Sequence, residues 1–237
     1  MDGENNSIEE CQKALGYFFK KSELLKSALS HASGVDSRQA SNERLEFLGD
    51  SILGLICCEF LYHRFPDLQE GEMTKIKSVV VSRPTCAKIS GQLNLGAFMV
   101  LGRGVPYEIG SIPANILADV FEAILGAMYL DGGWDIVRDF ALRHLSPVIE
   151  EVACSDLKNN AKSLLQQIVQ REFGTTPQYV LIDEKGPDHS KCFMMAVTIK
   201  GQSYNGEWAK NKKDAEQSAA LSALTKIQGP VAGTTQG

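Results

Sequence analysis

Three carboxylates stand in the twelve-residue stretch NERLEFLGDSIL, which runs from Asn42 to Leu53. Glu43, Glu46 and Asp50 follow a spacing of i, i+3 and i+7, which places them on one narrow face of a helix. Acids this close repel one another and raise one another's pKa values unless cations neutralise them. Because carboxylate oxygens suit the hard ions Mg²⁺ and Mn²⁺, this face is a candidate metal site. The simpler alternative is a solvated acidic face of an amphipathic helix.

Two further features of the stretch favour the metal site over a solvated face. Gly49 and Gly54 leave space at or beside the acids, although glycine inside a helix costs about 1 kcal/mol relative to alanine. Phe47 lies near the acidic edge of the helix, where a large aromatic side chain would be exposed to water unless another group packs over it. The opposite face is predicted to be apolar, with Leu45, Leu48, Ile52, Leu55 and Ile56.

A second acidic helix is predicted from about Asn115 to Gly132. Asp119 and Glu122 again stand three residues apart in it. Small residues crowd the face of these acids, namely Ala118, Ala123, Gly126 and Ala127. Helices that pack over metal ions need such neighbours, because bulky side chains hold helix axes about 8–10 Å apart.

The remaining elements predict an all-α domain over residues 7–152, a polar linker at 153–160 and a small α+β module at 161–228. The module has the order α-β-β-β-α, with strands expected at 178–184, 191–200 and 203–209. A glycine-rich tail at 229–237 is expected to be disordered. Two residues near the first acidic helix have structural interpretations: Asn42 as its N-cap, and His31 as a partner of the preceding helix end rather than a catalytic group.

Composition narrows the class of protein. No segment of the 237 residues approaches the roughly 18 apolar residues of a membrane span, and the first residues lack a signal-peptide pattern, so we expect a cytoplasmic protein. Six cysteines without a CxxC pair indicate neither a zinc site nor a disulfide framework, and Cys57 and Cys58 are interpreted as core residues. The net charge is −5, yet residues 155–226 hold ten basic and eight acidic side chains. The excess acid therefore belongs to the helical domain.

With NERLEFLGDSIL followed by LADVFEAILGA, residues 8–227 resemble a bacterial ribonuclease III, and the small module resembles a double-stranded RNA-binding domain. A helical diiron protein also pairs carboxylate helices, but it needs E-x-x-H pairs, which these acids lack. The resemblance implies a Mg²⁺-dependent endonuclease, with Mn²⁺ as a substitute, in which metal-activated water cleaves each strand of duplex RNA. Its substrates would be ribosomal precursor, messenger and other structured RNAs. The implied metal ligands are Glu46, Asp50, Asp119 and Glu122, with Asp50 and Glu122 as the catalytic pair.

The resemblance also implies roles for two outlying acids and for Phe47. Glu43 and Glu70 match acids that help to hold metals or approach RNA, while a solvated helix start is an equal alternative for Glu70. Phe47 matches an aromatic that inserts into a pocket of a partner subunit, so a homodimer is expected. An ordinary core position is the alternative for Phe47. A homodimer would place two sites on one duplex and leave short 3′ overhangs.

The RNA contacts of the module are likewise implied by the resemblance. Short polar side chains on its first helix would reach 2′-hydroxyls in one minor groove, and His189 would enter the next minor groove. Basic residues before and at the start of the last helix would meet phosphates, although a solvated lysine face is the alternative. The polar contacts are Ser163, Gln166, Gln167 and Gln170; the phosphate contacts are Lys210, Asn211, Lys212 and Lys213. The segment 208–211 departs from the family pattern, so weaker or differently oriented RNA binding is expected of the module. The loop SIPAN before the second acidic helix has no basic residue, so some RNA contact of the first domain is expected to be missing.

Two rival classes stay open on sequence alone. A protein of the same fold with broken acid sets grips duplex RNA without cutting it, and a purely structural helical protein is the more distant alternative. The intact acids favour the enzyme.

Overall fold

The computed structural model describes residues 2–105 and 111–228, so the predicted tail at 229–237 lies outside the described residues. The chain divides into two compact units, one ending at Ile149 and the next beginning at Glu150. Helices make up the first unit: α1 (Asp2–Leu15), α2 (Ser22–Leu29), α3 (Glu43–Arg64), α4 (Glu70–Val80), α5 (Arg83–Gln92), α6 (Ala114–Gly132) and the start of α7 (Trp134–Phe173). Within the described ranges, no helix is long and apolar enough to cross a membrane.

The second unit combines the C-terminal part of α7 with a three-stranded antiparallel sheet and a last helix. Its elements are β1 (Gln178–Lys185), β2 (Cys192–Ile199), β3 (Gln202–Asn205) and α8 (Lys212–Gln228), with the strands in the order β1-β2-β3. Leu165 and Val169 of α7, Val197 of β2, and Ala219 and Ala223 of α8 share one buried core. The predicted all-α domain and the α-β-β-β-α order are therefore confirmed.

Two predicted boundaries differ from the structure. Residues 153–160 are helical and belong to α7, where a polar linker between two helices was expected. That segment contains neither glycine nor proline, so it has no residue that breaks a helix. The third strand ends at Asn205 rather than at 209, and Gly206 lies against the backbone of α8 at Ala219. Beyond this point Ala209 pairs with Phe193 of β2 as an isolated bridge.

Two side-chain expectations in and beside α3 are wrong. Asn42 precedes the helix, but its backbone is in the helical region (φ −73°, ψ −10°) rather than extended, so its side chain makes no cap. Its Nδ2 is instead buried without a hydrogen-bond partner. Leu55 and Cys58 are exposed, whereas Cys57 is buried as predicted, because only one side of α3 faces the core.

Two glycines let α3 and α6 cross with their backbones in contact. A Cβ added to Gly49 of α3 would overlap the carbonyl oxygen of Glu122, and one added to Gly126 of α6 would overlap that of Leu45. The small residues predicted on the acidic faces therefore do allow close approach. Gly54 takes no part, since its nearest neighbours are side-chain atoms of Lys77 at an ordinary 3.7 Å.

Gly49→Ala should lower the free energy of unfolding by about 3 kcal/mol, because the added methyl forces the two backbones apart. Urea denaturation measures the change. Gly91→Ala in α5 is the matched control: nothing lies within 4 Å of its added Cβ, so it should be neutral or stabilise by up to about 1 kcal/mol. Equal stability of Gly49→Ala and the wild type would contradict the close crossing.

Candidate active site and RNA-binding surface

Four acids meet beside the crossing of α3 and α6. Glu46 and Asp50 come from α3, and Asp119 and Glu122 come from α6. Their charges act on one another, since Asp50, Glu46 and Asp119 all help to raise the pKa of Glu122. The structure therefore brings together the four acids that the sequence predicted, which we call the acid cluster.

Burial makes negative charge costly in the acid cluster. Glu122 is only 9% exposed, and burial first, then the neighbouring carboxylates, raise its pKa from 4.5 to about 7. Burial is also the main cause that raises the pKa values of Glu46 and Asp119. Asp50 lies on the solvent side and is exposed. Three of the four acids thus hold protons more tightly than ordinary carboxyls do.

Two basic side chains stand close enough to offset part of this charge. Arg83, at the start of α5, lowers the pKa values of Glu46, Asp119 and Glu122, against the larger effect of burial. His31 acts in the same direction on Asp119. The His31 ring also accepts a hydrogen bond at Nδ1 from the Ser33 amide (3.2 Å) and lies 2.8 Å from the Ser33 hydroxyl. Its structural role is therefore to cap the turn 32–34 that follows it, and not the end of the preceding helix as predicted.

Cys86 is a neighbour of the acid cluster that the sequence did not single out. Its thiol is fully buried, and burial first, then Glu122 and Asp50, raise its pKa to about 12. The thiol is therefore neutral and stands beside Glu122 as a weak hydrogen-bond donor. Local spacing gives no signal for Cys86, since α5 reaches α6 only through tertiary packing.

The outlying acids behave differently from each other. Glu43 is exposed, but its charge contributes to the raised pKa of Glu46, so it stands at the edge of the acid cluster. Glu70 accepts a hydrogen bond from the Thr74 hydroxyl (3.1 Å) and lines a groove with Leu55 and Tyr62. Glu70 does not contribute to the raised pKa values of the acid cluster.

Nothing in residues 2–105 and 111–228 forms a ready-made cage of three His, Cys, Asp or Glu ligands around one point. The acid cluster is a set of neighbouring carboxylates that still have to converge on an ion. The donor set itself suits a hard divalent cation, because its oxygens carry closely spaced negative charge that Arg83 and His31 balance in part.

Phe47 belongs to an exposed apolar stripe along α3. It is 79% exposed, and Leu55 and Tyr62, at helical spacings from it, are 56% and 69% exposed. The core alternative for Phe47 is therefore wrong. An open groove of about 700 Å³ lies directly beside Phe47, and Leu24, Leu48 and Leu130 supply apolar wall.

The predicted RNA contacts of the second unit are all at the surface. One face of α7 carries exposed polar side chains, and a short turn after β1 carries exposed His189. The basic residues 210, 212 and 213 are exposed at the start of α8. The exposed face of α7 consists of Ser163, Gln166, Gln167 and Gln170.

The unusual segment 208–211 has a defined structure. Asn211 caps α8: its Oδ1 accepts from the Asp214 amide (2.9 Å), and its Nδ2 donates to the Asp214 carboxylate (2.8 Å). Lys185 stands 3.9 Å from the centre of the half-buried Trp208 ring, a cation–π contact. Trp208 therefore packs within the unit, and Asn211, predicted to contact phosphate, is engaged in capping α8.

Family models match the two parts of the chain separately. A "Ribonuclease-III-like" model matches residues 21–149, and a "Double-stranded RNA binding motif" model matches residues 161–227. The first match covers the acid cluster and the second covers the predicted RNA contacts.

Several known proteins are similar over most of the chain. Ribonuclease 3 of Rhodopirellula baltica is 49% identical over 220 residues, which cover 93% of this chain and 82% of that protein. Ribonuclease 3 of Symbiobacterium thermophilum is 42% identical over 90% of this chain and 92% of its own. A solved nuclease domain of ribonuclease III from Campylobacter jejuni, described for flexibility in a region involved in dimer formation, has a TM-score of 0.55. It is 39% identical and covers 61% of this chain and 96% of that domain.

Glu122→Gln should stabilise the metal-free protein at about pH 8, because it removes a buried charge. Between pH 4.5 and about 7 the unfolded state has lost the Glu122 proton while the folded state keeps it, so wild-type stability falls as pH rises through this window. Relative to the wild type, the free energy of unfolding of Glu122→Gln should be higher by about 3 kcal/mol above pH 7 and equal near pH 4.5. Each pH unit between the unfolded and folded pKa values of Glu122 contributes about 1.4 kcal/mol to this difference. Urea denaturation in EDTA across this range measures it.

Glu43→Gln, at an exposed acid of the same site, is the control and should show a much smaller change. A Glu122→Gln effect that does not depend on pH would contradict the raised pKa.

Proposed function

The chain belongs to the ribonuclease III family, and from this premise we propose that it is a Mg²⁺-dependent endonuclease that cleaves double-stranded RNA at the acid cluster. An endoribonuclease for duplex RNA follows from the family and from its RNA-binding motif. The observation that carries the finer proposal is the meeting of four carboxylates from α3 and α6, with the pKa of the buried Glu122 raised to about 7.

Glu46, Asp50, Asp119 and Glu122 would hold Mg²⁺, or Mn²⁺ in its place. When bound, divalent ions neutralise the phosphate, activate the attacking water and stabilise the leaving oxygen. Glu122 must release its proton to become a ligand, so the loaded site forms more readily as pH rises through 7. Asp50 is open to solvent and Glu122 is buried, so these two acids, our catalytic pair, would supply one accessible and one buried metal ligand.

The second unit supplies RNA affinity that an acidic surface lacks. We assign catalysis to residues 7–152 and RNA binding to 161–228. The polar face of α7 suits the shallow minor groove of A-form RNA, and His189 is placed to enter a neighbouring minor groove. Lys210, Lys212 and Lys213 would meet phosphates. Asn211 contributes mainly by capping α8, since both ends of its amide are paired with Asp214.

A homodimer is the proposed assembly, with the exposed stripe of α3 as its interface. The Campylobacter jejuni relative carries a region involved in dimer formation. A two-fold axis near Phe47 would bring this ring to the partner's copy of the groove walled by Leu48 and Leu130, because a two-fold interface uses the same patch twice. Glu70 lies beside Leu55 and Tyr62 and would reach this interface.

A protein that binds duplex RNA without cutting it is the rival function. The complete acid cluster favours the enzyme, because a pure binding protein has no use for buried repelling carboxylates. We also propose a cytoplasmic role in processing ribosomal precursor and other structured RNAs, since these contain the duplexes that such a site would cut.

Incubation with a duplex RNA, including a ribosomal-precursor stem, should give strand scission with Mg²⁺ and none in EDTA. Glu122→Gln should lower cleavage by at least about 100-fold, because an amide cannot supply the anionic ligand. Its affinity for duplex RNA should stay within about threefold of the wild type. Gel electrophoresis of end-labelled strands measures cleavage, and gel shift in Ca²⁺ measures binding.

In the Glu122→Gln background, Lys212→Glu with Lys213→Glu should weaken RNA binding, while Lys226→Glu at the far end of α8 should leave it nearly unchanged. Binding without Mg²⁺-dependent scission by the wild type would establish the rival function.

Phe47→Asp should shift the protein from dimer to monomer, because the charge cannot enter an apolar groove without a large desolvation penalty. Sedimentation velocity at micromolar concentration measures the shift. Phe18→Asp is the matched control, since Phe18 is 62% exposed but does not line that groove. A Phe47→Asp variant that sediments like the wild type would rule out this interface.

A further inference from the structure

Arg83 stands at the solvent end of the face that α5 turns toward α6. One turn after it on α5, the buried Cys86 lies beside Glu122, and one turn further the buried Ser90 donates a hydrogen bond from its hydroxyl to the Leu117 carbonyl. Positions 83, 86 and 90 share one side of a helix. This side therefore runs from the buried interior at Ser90 to the surface at Arg83.

The charge of Arg83 reaches the acid cluster from its rim. Its guanidinium lowers the pKa values of Glu46, Asp119 and Glu122, so it lies within electrostatic range of both acidic helices. Among the described residues, Arg83 is the cation with the largest effect on each of these three acids. Arg83 is exposed, whereas Glu122 is only 9% exposed. The Arg83 side chain is therefore accessible to an anion that approaches from solvent.

Arg83 is close to the acids without being bound to them. In the part of the chain that the structure describes, it forms no salt bridge with Glu46, Asp119 or Glu122. A guanidinium that served only to neutralise carboxylates would pair with one of them directly. Its planar set of N–H donors, which fits two phosphate oxygens at once, is thus not occupied by these acids.

We propose that Arg83 is a further catalytic residue that grips a phosphate of the bound RNA at the rim of the acid cluster. This inference rests on the proposed nuclease function and goes beyond the four acids. The contact would strengthen as negative charge builds up on the phosphate during attack, so Arg83 would act mainly on the rate of cleavage. The second unit would supply most of the RNA affinity, so duplex binding would change little.

The test compares Arg83→Ala and Arg83→Lys with the wild type in the full chain. Arg83→Ala should lower kcat/KM on duplex RNA roughly 10- to 100-fold, the loss expected for a charge-assisted hydrogen bond. Arg83→Lys should recover only part of this loss, since an ammonium lacks the planar fork. Affinity for duplex RNA in Ca²⁺ should stay within about threefold. Lys88→Ala, an exposed cation on a different side of α5, is the control and should match the wild type.

A second measurement separates a phosphate contact from a structural role. Removing a positive charge beside four acids should make the RNA-free protein bind Mn²⁺ roughly two- to fivefold more tightly, as calorimetry would show. The inference therefore predicts that Arg83→Ala binds Mn²⁺ more tightly but cleaves RNA more slowly than the wild type. A variant that merely disturbed the site would lose both.

The outcomes are distinct. If the wild type cleaves duplex RNA and Arg83→Ala has the same kcat/KM, this inference alone is overturned. It is also overturned if Arg83→Ala binds Mn²⁺ more weakly in proportion to its loss of rate. A wild type without Mg²⁺-dependent cleavage would overturn both this inference and the proposed function.

Discussion

The contact of two helix backbones at Gly49 and Gly126 is the constraint on which the first unit and its acid cluster depend. Each glycine lies where a Cβ would overlap a carbonyl oxygen of the facing helix. Because α3 and α6 touch without side chains between them, the acids beside this crossing on each helix are forced into a common site. Glu122 illustrates the link, since its own carbonyl is the group that Gly49 approaches.

This closeness places negative charge where water is scarce, and that charge determines the chemistry of the unit. Burial and mutual repulsion raise the pKa of Glu122 to about 7, so the metal-free site is destabilised by its own carboxylates as pH rises. A divalent cation would relieve the same repulsion. The stability cost and the proposed catalytic power thus arise from one arrangement, as is common at functional sites. RNA affinity, which an acidic surface opposes, resides in the separate second unit.

Much of this arrangement could be predicted from spacing alone. The i, i+3 and i+7 acids, the small residues facing them and the strand-forming runs of the second unit are local patterns, and local patterns predict elements well. The features that spacing could not predict depend on tertiary packing. Arg83 and Cys86 reach Glu122 only because α5 packs on α6. Asn42 is a residue type that commonly caps helices, but its helical backbone conformation prevents capping. Helix α7 continues through 153–160, because a polar segment without glycine or proline can stay helical.

The exposure of side chains in the structure also distinguishes between positions that the sequence left open. Phe47 was compatible with a core or an interface position, and its 79% exposed side chain beside an apolar groove favours the interface.

The central claim, that the acid cluster is a divalent-metal site, is tested most directly by a crystal of the protein soaked in Mn²⁺ and measured at the manganese absorption edge. The account predicts an anomalous peak within about 2.3 Å of carboxylate oxygens from both α3 and α6, with Glu122 among the ligands. A fully occupied peak elsewhere, or none at the acid cluster at millimolar Mn²⁺, would contradict it.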